Sequence, residues 1–90
     1  MKVRVRLFAE LRERAGSEWL ELEVSEGCRV RDVLEQLSRL LPEAFRDLIG
    51  PGAELAQGYT VLIGNRRASL DEEVSTGWVM AVLPPVGGGL

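Results

Sequence analysis

Few side chains in this sequence can make or break a covalent bond. The chain has no histidine and one cysteine, Cys28, so His/Cys zinc sets, Cys-His nucleophile pairs and an internal disulfide are all out of reach. What remains is the backbone itself. The chain ends Pro84-Pro85-Val86-Gly87-Gly88-Gly89-Leu90, an order with a chemical use. Proline holds φ at about −65° and favours extended geometry, so Pro84 and Pro85 project the last five residues away from the domain. Glycine lacks a Cβ, so Gly87, Gly88 and Gly89 can thread a narrow channel and let another protein's catalytic groups approach a backbone carbonyl. A rigid lever capped by a thin probe suits a terminus that a partner activates; a frayed end of small residues is the plainer alternative. Cys28 sits near a predicted helix start, where a thiol is acidified, yet free cysteine is most often buried and inert. A structural role is expected for it.

The elements that must carry this tail are legible from periodicity. Residues 2–8, KVRVRLF, alternate: Val3, Val5 and Leu7 face one side and Lys2, Arg4, Arg6 and Phe8 the other, the pattern of a half-buried strand. Residues 19–24 repeat it, with Leu20, Leu22 and Val24 inward and Trp19, Glu21 and Glu23 outward. Pairing the two antiparallel sets outward cations against outward glutamates, each pair contributing roughly 0.2–1 kcal/mol. Between them AELRERAGS predicts a short helical turn closed by Gly16. From Val30 to Leu41 the apolar residues Val30, Val33, Leu34, Leu37, Leu40 and Leu41 trace one helix face, stopped at Pro42. With Cys28 or Arg29 at the cap position, the start of this helix is predicted to be weakly capped.

Residues 42–58 predict a short helical piece holding Ala44, Phe45, Leu48 and Ile49, broken by Gly50-Pro51-Gly52. Tyr59–Ile63 reads as a strand, and Gly64-Asn65 as a hairpin turn tolerant of φ > 0 at both positions, leading to a short return through Arg66, Arg67 and Ala68. Trp78–Leu83 is apolar on both faces and belongs in the middle of a sheet, with Trp78 in the core. The order strand, strand, helix, strand, short strand, strand is met most economically by a mixed sheet wrapped across the one long helix. The first and last strands then lie parallel in its centre, and the tail leaves directly after Leu83.

Bulk properties narrow the functional classes. Ninety residues with 46% hydrophobic and 28% charged fold as one domain, with little room for a deep active site of their own. No independent catalytic site is expected. Eleven basic against fourteen acidic residues, the basic ones scattered, argue against nucleic acid. No apolar stretch suits a membrane or a signal peptide, so a cytoplasmic location is expected.

LFAELRERAG at 7–16, VRDVLEQL at 30–37, GNRRASL at 64–70 and, most specifically, AVLPPVGGG at 81–89 resemble the MoaD-type sulfur carriers of the MoaD/ThiS family. The resemblance runs over nearly the whole chain. It implies an α+β, ubiquitin-like β-grasp fold: a mixed sheet of four to five strands wrapped across one main amphipathic helix, with short extra helical turns. Residues 1–83 would be the domain and 84–90 an extended flexible tail. It implies a carrier rather than a catalyst. A MoeB/ThiF-type adenylating enzyme, which itself binds ATP and Mg, would adenylate the Gly89 carboxylate. A sulfurtransferase persulfide would supply sulfur for a thiocarboxylate, with Gly88 as the slender neighbour of the reacting residue. In the MoaD branch the sulfur passes to a pterin precursor, for the molybdenum cofactor, while the tail lies in a MoaE-type large subunit of molybdopterin synthase. This chain would then be the small subunit, binding no cofactor of its own. Phe8, Leu83, Pro84, Pro85, Val86 and Gly87 match positions that contact partners, although Phe8 and Leu83 equally suit sheet packing. Related alternatives are sulfur delivery to cysteine, thiamine or tRNA, a ubiquitin-like protein modifier, and an inert β-grasp interaction module.

The sequence departs from the family pattern in three places: the usual Asn-Gly turn is inverted to Gly64-Asn65, Trp78 stands where an acidic residue often follows the glycine, and Leu90 follows the diglycine. Leu90 ties the Gly89 carboxylate into a peptide bond. Either a protease removes Leu90 before activation, or this chain has lost or altered carriage, or the cellular chain ends elsewhere.

Overall fold

A computed structural model of the chain describes residues 1–45, 48–49 and 54–85. The roles expected of Val86, Gly87, Gly88, Gly89 and Leu90 lie outside the described residues, as does the Gly50-Pro51-Gly52 breaker. The elements run β1 (Lys2–Leu7), α1 (Ala9–Ala15), β2 (Trp19–Glu23), α2 (Val30–Leu40), α3 (Pro42–Phe45), β3 (Thr60–Ile63), β4 (Arg66–Arg67) and β5 (Val79–Leu83). They form a five-stranded mixed sheet in the order β2-β1-β5-β3-β4.

The alternating strands pair as their patterns require. β1 and β2 are antiparallel with Arg4 opposite Glu21 and Lys2 opposite Glu23. Ion pairs cross this ladder from Arg6 to Glu18 at 2.8 Å and from Lys2 to Glu21 at 3.6 Å. β1 and β5 run parallel in the centre, Leu7 beside Val82, and β5 continues antiparallel to β3, Thr60 opposite Leu83. Val3, Val5, Leu7, Leu22, Val61, Ile63, Met80 and Val82 thereby share one face of the sheet and are buried. Val30, Val33, Leu34 and Leu37 of α2 close over that face, each fully buried. Burying side chains of this size stabilises the fold by about 1.5–3 kcal/mol apiece. This layered contact is why α2 lies across the sheet. Phe45 and Leu48 complete the core from the side.

Several local expectations change. α2 ends at Leu40, whose side chain is 58% exposed instead of joining the apolar face. Its start is better capped than Arg29 suggests, because the Asp32 carboxylate accepts the Arg29 backbone N–H at 2.8 Å. That bond satisfies one orphan donor from the third helical position. The β3–β4 hairpin uses φ > 0 only at Gly64 (64°), not at Asn65, so the glycine-first order matches a type II′ turn and the dipeptide is not a mirrored Asn-Gly. β5 begins at Val79. Trp78 precedes it, partly buried against the core.

The N-terminal helical turn carries the one non-glycine positive φ among the described residues, 52° at Ala9. Phe8 is not the last residue of β1. It is the N-cap of α1 with φ −123° and ψ 154°, and the chain reverses direction at Ala9. Gly16 closes α1 in the left-handed conformation, its N–H donating to the Arg12 carbonyl at 3.0 Å. No helix among the described residues is long and apolar enough to cross a membrane.

Candidate functional site: the outer sheet face and the tail exit

The face of the sheet away from α2 is chemically divided. On its β2–β1 half lie Glu21, Glu23, Lys2, Arg4 and Arg6; on its β5–β3 half lie Val79, Ala81, Leu83 and Leu62. β5 lies in the middle of the sheet, as its apolar residues on both faces led one to expect, yet those two faces are not equally covered. Its burial alternates: Met80 and Val82 are buried against α2, while Val79 is 38% exposed and Ala81 and Leu83 are half-buried. An apolar central strand open on one side, rimmed by charge, is the pattern of a surface that a partner covers.

Phe8 and Leu83 come together here. Together with Arg6, Trp19, Leu62, Gly64, Val79 and Ala81 they line a shallow groove of ≈ 270 Å³. Parallel pairing of Leu7 with Val82 places both residues at the end of the sheet from which the tail leaves. Arginines of β1 stack on the groove's aromatic residues. The Arg4 guanidinium lies 4.3 Å from the Trp19 ring centre and that of Arg6 4.9 Å from Phe8, contacts worth about 0.5–1 kcal/mol each at exposed sites. Trp19, 39% exposed, belongs to this surface, as does Val79. Sequence alternation had placed Trp19 outward without giving it a role, and the only signal for Val79 was an apolar residue on the solvent side of a strand.

Pro84 and Pro85 extend β5 without a break. Neither has an N–H to donate, so regular pairing with β3 stops at Leu83. Yet the tail does not simply project at once. Continuing the register brings Pro85 opposite Gly58, and the two are in close contact: a Cβ built on Gly58 would stand 2.8 Å from Pro85 Cβ. Gly88 and Gly89, expected to carry the reaction, and Leu90, expected to block it, are outside the described residues.

Cys28 is far from this exit. It precedes α2 beside Val24, whose N–H donates to the Met1 carbonyl at 2.7 Å, and so it marks the end of β1 opposite to the one beside the tail. It lines a cleft of ≈ 390 Å³ with Asp32, Glu35 and Arg39. Burial and the neighbouring Asp32 carboxylate push its thiol above the ordinary value, the reverse of what sulfur chemistry at neutral pH requires. Elsewhere on the surface, Glu72 accepts from Arg66 at 2.6 and 2.9 Å and from the Ser69 N–H at 2.7 Å, which lowers its carboxyl to about 2. This bracket ties β4 to the turn after it.

Comparison with known proteins places the whole arrangement. The ThiS family model matches residues 5–89, leaving Leu90 outside. Small archaeal modifier protein 1 of Haloferax volcanii is 34% identical over 84 residues, 93% of this chain and 97% of its own length. Its crystal structure superposes with a TM-score of 0.88 at 32% identity, covering 99% of this chain and 100% of that one. A Pyrococcus furiosus structure assigned as molybdopterin converting factor subunit 1 is 36% identical with a TM-score of 0.80, covering 96% and 99%. A third, from the BexX/CysO complex of Amycolatopsis orientalis, shares the fold at 23% identity with a TM-score of 0.73, covering 97% and 99%. With a match over almost its full length, the chain belongs to the ThiS family, the ubiquitin-like β-grasp family of sulfur carriers and modifiers.

Proposed function

We propose that this protein is a sulfur carrier whose tail, once cut between Gly89 and Leu90, is activated by a MoeB/ThiF-type enzyme and delivers sulfur in molybdopterin synthesis. Water adds across the Gly89–Leu90 peptide bond and frees the carboxylate. That carboxylate is a poor electrophile until ATP converts it to an acyl-adenylate with loss of pyrophosphate. The terminal sulfur of a sulfurtransferase persulfide then attacks the acyl carbon and AMP leaves. A thiol cleaves the resulting acyl disulfide, which releases the thiocarboxylate and leaves a disulfide behind. This chain's part is to bind, orient and present.

One observation carries the reading. In sequence Pro-Pro-Val-Gly-Gly-Gly follows directly on the central strand β5, whose last residue, Leu83, lies on an apolar sheet face that α2 does not cover. A partner seated on Phe8, Trp19, Val79 and Leu83 would receive the tail in its own active site. Arg6 in this groove and Arg4, stacked on Trp19 beside it, suit an acidic rim on that partner. The Pyrococcus furiosus relative, assigned to a molybdopterin converting factor, supports the choice of a MoaE-type large subunit.

A second reading has its own support. The Haloferax volcanii relative is a modifier, and the same activated Gly89 would form an isopeptide bond if a lysine amine attacked in place of sulfur. Intact mass of the protein isolated from its own cell separates the outcomes. Loss of one leucine residue with exchange of one oxygen for sulfur supports carriage, and Leu90 retained on every molecule refutes it. Affinity capture then divides the branches: a MoaE-type subunit supports molybdopterin synthesis, whereas a ladder of lysine conjugates supports the modifier.

A further inference from the structure

We propose that Gly58 is a positioning residue: its bare backbone is the seat on which Pro85 rests, and this contact sets the direction in which the tail leaves the domain. The inference rests on the proposed role of the tail and adds a part of the machinery that neither the glycines nor the prolines disclose.

Two independent constraints meet at Gly58. The first is local. Tyr59 N–H donates to the Ala56 carbonyl at 3.1 Å, closing a turn whose third residue, Gly58, has φ 88°, as a type II turn requires. The second is tertiary. An added Cβ would lie 2.8 Å from Pro85 Cβ, 3.0 Å from Cγ and 3.4 Å from Cα, distances at which the tail would have to move. The positive-φ glycines Gly16, Gly27, Gly64 and Gly77 share the first constraint, but a Cβ on any of them would meet nothing within 4 Å. Gly58 alone among these five needs to be glycine for a neighbour's sake.

The mechanical reason lies in the prolines. Ladder hydrogen bonds hold β5 to β3 as far as Leu83, and beyond it Pro84 and Pro85 have no N–H with which to continue. Something else must fix the bearing of the lever. Close approach of Pro85 to Gly58 does so without a hydrogen bond, while Pro85 remains exposed. Because proline also fixes φ at 84 and 85, a shift at the seat changes the bearing of the lever itself. Misplacement of a reacting group by about 1 Å can cost roughly 10²-fold in rate.

The test is a double-mutant cycle on G58A and P85G, with G77A as a control that carries comparable backbone strain at φ 83°. Two readouts are taken: the NMR cross-peak between Gly58 Hα and Pro85 Hβ, and kcat and KM for adenylation, by the MoeB/ThiF-type enzyme of the same cell, of chains ending at Gly89. We expect the cross-peak in the wild-type chain and in G77A, and its loss in G58A; P85G, which has no β protons at 85, is read by adenylation alone. Each single variant should lower kcat/KM roughly 10- to 100-fold, mostly in kcat. The double variant should be no worse than the poorer single, since both remove one contact. G77A should lose melting temperature as G58A does yet be adenylated normally. An absent wild-type cross-peak, normal adenylation of G58A, or multiplying losses in the double variant would each overturn the seat. P85G tests the same contact if G58A does not fold. A wild-type chain that shows the cross-peak but is never adenylated refutes the proposed role of the tail and leaves the seat standing.

Discussion

Replacing Ala9 by glycine should stabilise the protein, against the ordinary rule for a helical residue. Ala9 opens α1 with φ 52°. For an L-residue the left-handed region costs roughly 1–2 kcal/mol, and glycine avoids that cost. Against this stands the larger conformational entropy of glycine in the unfolded chain, about 0.4–1 kcal/mol. Ala9 is exposed, so removal of its methyl group sacrifices no core packing. The difference is a gain of roughly 0–1.6 kcal/mol, centred near ~0.8. At about 4–8 °C per kcal/mol for a domain of this size, the melting temperature of A9G should rise by roughly 3–6 °C. A β-branched residue at the same place crowds further in this region, so A9V should melt below wild type. Calorimetry or thermal circular dichroism on the three chains measures the order A9G, wild type, A9V. If A9G melts lower than wild type, the strain at Ala9 is not what the backbone geometry indicates, and the sharp reversal that aims Phe8 into the groove must be maintained in some other way.

Glu72 predicts a pH dependence with a definite sign. Its folded-state carboxyl is lowered from 4.5 to about 2, so between these values the unfolded chain binds more protons and stability rises with pH. The bracket's contribution is present in full above about pH 4.5 and is lost as pH falls toward 2; E72Q should flatten the denaturation profile in that window and leave its slope at neutral pH unchanged. Cys28, its thiol raised by burial and by Asp32, should react with iodoacetamide at neutral pH more slowly than a free cysteine, and faster alkylation would show an activated thiol. V79S removes an exposed apolar contact from the outer face without opening the core. It should weaken capture by the partner about tenfold or more if Val79 is a central contact, with little change in melting temperature. Deletion of residues 88–90 should leave the melting temperature almost unchanged, because a tail made for insertion into a partner buries little on its own domain; a large fall would show it docked there.

Periodicity alone carries much of this molecule. The alternation in β1 and β2 and the 3.6-residue spacing in α2 name the buried face of each element before any contact is known, because a side chain's direction is set by its place in a strand or helix. The parallel pairing of β1 with β5 is legible too, since each apolar face needs a partner. The chemistry proposed for the tail is equally local, because what proline and glycine can do is a property of residue type. Sequence also shows Leu90 following the diglycine, the residue that the proposal requires to be removed.

Tertiary structure decided what depends on residues distant in the chain. An apolar pattern on both sides of β5 reads as a central strand, which it is, but only the assembled sheet shows that one layer of helix covers one side and leaves Val79 exposed and Leu83 half-buried on the other. Phe8 and Trp19 join those residues because the strand register brings them there, and nothing in the local spacing of either encodes that meeting. Gly58 is the clearest case. Local sequence explains a turn glycine, but its approach to Pro85 exists only because β3 and β5 are antiparallel neighbours in that register. Excluded volume between segments 27 residues apart is a property of the fold.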